Sequence, residues 1–111
     1  MDILPNIENA VISKDKFIKY ALNEKADKDK TIAFELALGY NKNNADRLIK
    51  NIKRNIDKFP AKVKGNKGYG DLYEVVMVLK GENGKTAKVL TGWINDSKTG
   101  KLRLVTVYID K

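Results

Sequence analysis

Nine lysines and arginines crowd residues 42–67, accompanied by two aspartates and no glutamate. The rest of the 111-residue chain is almost neutral, with 13 basic against 12 acidic residues. Nearly all of the net charge of +8 therefore belongs to one quarter of the sequence. Spread evenly, it would speak only of solubility; concentrated, it makes a local field whose natural partner is a phosphate backbone. Arg47, Lys50, Arg54 and Lys58 recur at three- and four-residue spacing, with Lys53 among them, and Lys62, Lys64 and Lys67 carry the charge onward. A solvated helix exterior is also charged, but such faces interleave both signs for support between neighbouring turns. Acidic neighbours are scarce here, which favours nucleic-acid contact.

The residue types that are missing narrow the chemistry further. There is no Cys and no His, so thiol nucleophiles, thiolate or imidazole metal sites and His-centred proton transfer are all excluded. Paired carboxylates suited to metal-assisted hydrolysis are not evident: Asp27 and Asp29 read as helix-capping residues, and Asp96 and Asp110 fall in a turn and at the end. No metal and no cofactor are expected. Gly65-Asn66-Lys67-Gly68-Tyr69-Gly70 lacks the spacing and the strand-to-helix setting of a phosphate-binding loop. It reads either as a basic loop able to close over a bound chain or as a plain connector. Any reaction must be run by Lys, Arg, Tyr, Ser, Thr or carboxylates.

The elements that would position these groups follow from periodicity. Residues 1–12 read as an extended lead-in, since Pro5 opposes helix. Ser13 can cap a first helix, with Phe17, Ile18, Ala21 and Leu22 at helical spacing. Asp29 can cap a second, in which Ile32, Ala33, Leu36 and Ala37 form the apolar stripe, widened by Phe34 and Leu38, before Gly39 stops it. Asn43 or Asn44 starts a third, lined by Ala45, Leu48, Ile49, Ile52 and Ile56 and ended by Pro60. The period then changes to two, giving strands at 61–64, 72–80, 85–94 and 101–109. The expected fold is one α+β domain over residues 1–111, with three N-terminal helices packed on one face of a three- to four-stranded antiparallel sheet.

Asn83-Gly84 is a strong hairpin signal. As a two-residue turn it would pair Glu82 with Lys85, and counting then places Glu74, Thr91 and Trp93 on the face away from the helices. Alternation in the last strand adds Leu104, Thr106 and Tyr108 to that face and turns Val105, Val107 and Ile109 inward. Trp93 or Tyr108 could stack on an unpaired base there, or simply cover core. A slip of one residue would reverse the assignment.

From residue 3 to 109 the chain resembles a bacterial domain family found in toxin-like and phage-associated proteins. The resemblance is carried by Leu4-Pro5-Asn6, Asp29-Lys30, Leu38-Gly39-Tyr40, Tyr69-Gly70, Tyr73-Glu74-Val75, Gly81-Glu82-Asn83-Gly84-Lys85, Thr91-Gly92-Trp93-Ile94 and Arg103-Leu104-Val105-Thr106-Val107-Tyr108. Helices followed by strands also resemble the barnase–EndoU–colicin–RelE-like RNases. That resemblance implies metal-free cleavage of RNA in the cytoplasm, with tRNA one candidate target, by attack of the 2′-hydroxyl on its neighbouring phosphate. Carried onto this chain, it implies that Lys30 and Arg103 stabilise phosphate charge while Thr91, Thr106 and Tyr108 orient ribose and scissile group. It also implies an acidic immunity or antitoxin partner, and delivery from a secreted or phage-borne parent protein.

Two other classes stay open. One is a non-enzymatic protein that binds nucleic acid or occupies a nucleic-acid-handling enzyme. The other is a structural accessory domain whose charge is incidental. No stretch reaches the roughly 20 apolar residues of a membrane span, and the start carries no secretory pattern, so no membrane partner is expected.

Overall fold

A computed structural model describes residues 2–66 and 68–110. The helices run from residue 14 to residue 55: α1, Lys14–Lys16, continues into a π turn over Phe17–Ala21, and α2 (Lys28–Leu38) and α3 (Ala45–Asn55) follow. Four strands complete the chain, β1 (Ala61–Asn66), β2 (Gly70–Lys80), β3 (Thr86–Asp96) and β4 (Leu102–Ile109), in one antiparallel sheet ordered β1-β2-β3-β4. None of the helices is long and apolar enough to cross a membrane.

This corrects the expected arrangement of three N-terminal helices layered on one sheet face. The helices lie mid-chain, behind an N-terminal segment that has its own structural work. β4 is an edge strand with unpaired backbone groups, and the lead-in satisfies some of them. The Val11 N–H donates to the Leu102 carbonyl at 2.7 Å, and the Leu104 N–H donates to the Val11 carbonyl at 3.1 Å, a parallel bridge opposite Arg103. Leu4 is buried in the core. Nor do the helices share one role: α1 leans on α3, α2 on β3 and β4, and α3 on β2.

The capping differs as well. Asp27, not Asp29, caps α2, its side chain accepting from the Lys30 N–H at 3.0 Å. Replacing Asp27 by Ala should cost about 1 kcal/mol, read as a small fall in melting temperature. The buried positions of α2 are Thr31, Phe34 and Leu38, while Ile32 is 39% and Leu36 69% exposed. Apolar residues fall on more than one side of this helix, so spacing alone does not choose a face. Burying Phe34 and Leu38 removes more apolar area than burying Ile32 and Leu36 beside two alanines. In α3, by contrast, Ala45, Leu48, Ile52 and Ile56 share one buried side against Val75, Met77 and Leu79 of β2.

The sheet register is shifted by one residue from expectation. The Gly81 N–H donates to the Lys85 carbonyl at 2.8 Å, enclosing a three-residue loop, Glu82-Asn83-Gly84, with Gly84 at φ 80°. Such a loop ends in a left-handed residue that glycine adopts without strain. One extra loop residue flips every partner: Val75 faces Thr91, and Tyr73 faces Trp93. A second irregularity lies in β4, where Gly92 pairs with Thr106 and Trp93 with Leu104, leaving Val105 unopposed. Leu102 and Leu104 therefore join Val107 in the core, contrary to simple alternation, and Arg103 turns out to solvent.

Candidate functional site

Thr91 and Trp93 are internal, and both are fully buried. The indole N–H of Trp93 donates to Thr91 Oγ1 at 2.8 Å, and the Thr91 hydroxyl donates to the Val75 carbonyl at 2.8 Å. Trp93 has no face available to a base, and Thr91 has no contact with solvent. Thr91 therefore orients no ribose and Trp93 stacks on no base: the extra loop residue turns both inward.

The other four residues implied as catalytic lie along β4 and the start of α2. Lys30 Nζ sits 5.6 Å from the centroid of the Tyr108 ring, within cation–π range. Thr106 and Lys30 line a small pocket of about 190 Å³ together with Lys16 and Tyr20 of the first helical segment. Lys30 and Tyr108 line an adjoining hollow with Asp27 and Asp29. Arg103 stands farther down the strand, 3.5 Å from the Asp96 carboxylate.

Lys16 and Tyr20 were not foreseen. Four residues apart, they lie beside the stripe of Phe17 and Ala21 that the periodicity singled out, and nothing in a lysine's spacing marks it as chemical. The π turn brings them round, with the Leu22 N–H reaching back to the Phe17 carbonyl at 2.7 Å. Such turns are uncommon and often accompany functional sites. Burial, with Lys30 and Arg103 adding to it, holds the Lys16 ammonium below the ordinary lysine value of 10.5. Partial desolvation and like charge both disfavour its protonated form.

The cations of residues 42–67 do not gather on one side. Arg47, Lys50 and Arg54 line a groove of about 510 Å³ between α3 and the end of β2, with Lys80 opposite. Arg47 is partly spent there, bonded to Glu82 at 2.7 Å. Lys53 and Lys58 are exposed and do not line this groove. Lys62 and Lys64 lie on β1, with Lys62 opposite Glu74 in the ladder and Lys64 4.0 Å from the Glu74 carboxylate. Lys67 lies outside the described residues. The groove beside β2 and the pocket beside β4 are thus toward opposite edges of the sheet. Among the described residues, no group of three or more Asp, Glu, His or Cys side chains could hold a metal ion.

A family profile covers residues 3–111, nearly the whole chain. The chain belongs to DUF6883, a domain-of-unknown-function family. No curated protein and no solved structure matches it. Membership of DUF6883 carries no assigned chemistry, and nothing in these comparisons ties the chain to toxins or to RNase folds. The functional argument rests on the side chains themselves.

Proposed function

We propose that the domain binds RNA and cleaves it without a metal, at the pocket beside β4. The observation that carries this reading is the meeting of Lys16, Lys30, Tyr20 and Thr106 around one small cavity, with Tyr108 against Lys30 and Arg103 nearby. A cavity of that size takes a phosphate group. In the reaction, the ribose 2′-oxygen attacks the adjacent phosphorus and the bond to the 5′-oxygen breaks, leaving a 2′,3′-cyclic phosphate and a free 5′-hydroxyl. Lys16 takes the 2′-hydroxyl proton, Lys30 supplies one to the departing 5′-oxygen, and Arg103 adds charge stabilisation to the phosphorane. Thr106 and Tyr108 orient the ribose. In this reading the substrate is cytosolic RNA, and a toxin-like role follows from its cleavage.

The test is incubation of purified protein with total RNA in EDTA, followed by end-group analysis of the fragments. Cyclic phosphate ends formed in the presence of chelator are the expected result. Intact RNA, or fragments with 5′-phosphate ends, would remove the proposal. Salt-sensitive RNA retention without cleavage would favour the second reading, a non-enzymatic nucleic-acid binder, which the exposed Lys50 and Arg54 support.

A further inference from the structure

We propose that the groove between α3 and β2 receives an extended acidic peptide segment of a partner protein, which adds to the sheet as a further strand along Val76–Lys80. This inference does not rest on the RNA reading.

The backbone supplies the first half of the argument. The bond from the Gly81 N–H to the Lys85 carbonyl marks that pair as hydrogen-bonded. Along an antiparallel ladder such pairs alternate with unbonded ones. By the observed register, Leu79, Met77 and Val75 therefore turn their N–H and C=O groups toward β3. Val76, Val78 and Lys80 turn theirs to the other side. β1 covers that side only as far as Ala61, opposite Val75. Pro60 precedes it and has no N–H to extend the ladder. One group of this open stretch has a substitute partner: the Asn51 side-chain amide donates to the Lys80 carbonyl at 2.9 Å and to the Tyr40 hydroxyl at 2.9 Å. Ala61 and Val75 form an unbonded pair, so the Pro60 carbonyl stands opposite the Val76 N–H; among the described residues, the Val78 N–H and C=O and the Lys80 N–H have no backbone partner on this side. An edge in this state is a template for strand addition.

Charge supplies the second half. α3 lies over the inner side of this edge, and its Arg47, Lys50 and Arg54 face the groove, with Lys80 across from them. Among the described residues Glu82 is the one carboxylate lining it, and it engages Arg47. Side chains of an added strand would alternate between two sides. Those toward α3 meet cations, and those on the other side meet Val78, which is 49% exposed. The matching partner therefore alternates Asp or Glu with β-branched apolar residues. A single-stranded nucleic acid would use the cations but leave the backbone donor and acceptor of Val78 unmatched.

The probe is a synthetic peptide alternating Glu with Val, compared with the same peptide N-methylated at alternate residues and with a single-stranded RNA of equal charge. Binding is read by fluorescence anisotropy, and amide exchange of Val78 and Lys80 by NMR on the full chain. The plain peptide should bind and slow exchange at both amides, and N-methylation should weaken it about tenfold or more. Val78→Pro removes an edge donor without touching the ladder to β3 and should weaken binding similarly. Exposed Lys50→Glu combined with Arg54→Glu should abolish binding with an unchanged melting curve, which keeps the test sound if the proline variant misfolds. Absence of binding, equal binding of the N-methylated peptide, or tighter binding of the RNA would each overturn the proposal.

Discussion

Trp93→Ala should lower the melting temperature by about 15 °C or more. The indole is fully buried, opposed by Tyr73 on β2 and Leu104 on β4. Removing a core aromatic costs about 3–5 kcal/mol, part lost transfer energy and part the cavity left behind. In a domain of this size each kcal/mol moves the midpoint by about 4–8 °C. Total stability of small domains is only about 5–15 kcal/mol, so this substitution removes a large share of it. Thr91→Val is the companion. It keeps shape but leaves the Trp93 N–H without its acceptor, a loss of about 1–3 kcal/mol. Differential scanning calorimetry reads both. A Trp93→Ala protein that melts normally would mean the side chain is not core, and the surface assignment would return.

That pair of residues shows where the sequence stops being decisive. The strands themselves are legible, because β-branched runs separated by Gly and Asn have few other uses. Their relative register is not. Gly81-Glu82-Asn83-Gly84 fits a two-residue turn or a three-residue loop, and the choice depends on contacts far away in the chain. Here the Glu82 N–H donates to the Leu38 carbonyl at 2.8 Å, docking the hairpin onto the end of α2. No local pattern announces that. The unopposed Val105 is similar: the bulge lets Leu102, Leu104 and Val107 all reach the core, which strict alternation forbids.

The helices divide along the same line. α3 has one apolar side and one charged side, so its burial follows from spacing. α2 spreads its apolar residues over more than one face, and only tertiary packing reveals that Phe34 and Leu38 point inward while Leu36 does not. The candidate site inherits both outcomes. Lys30, Thr106 and Tyr108 come together because α2 crosses β4, a tertiary fact. Lys16 joins them through a π turn that no propensity scale marks.

Lys16→Arg should reduce RNA cleavage by about 10²–10⁴-fold, the usual contribution of a positioned proton acceptor. Arginine keeps the charge but does not give up its proton, so the substitution separates base from cation. Three influences lower the affinity of Lys16 for its proton: burial first, then Lys30, then Arg103. Since its proton is held less tightly folded than unfolded, the unfolded chain binds more protons between the lowered value and 10.5. Stability should therefore rise with pH through that window, and Lys16→Met should remove the slope. Activity should rise over the same range as the amine becomes neutral. Lys30→Gln deletes one of the repelling charges, so Lys16 recovers part of its ordinary proton affinity and the rising limb moves to higher pH. Rates measured from neutral to alkaline pH decide the matter. A Lys30→Gln enzyme that is slower but keeps the wild-type pH profile would show that Lys16 is not the group whose proton is taken, and would reduce it to one more cation in the pocket.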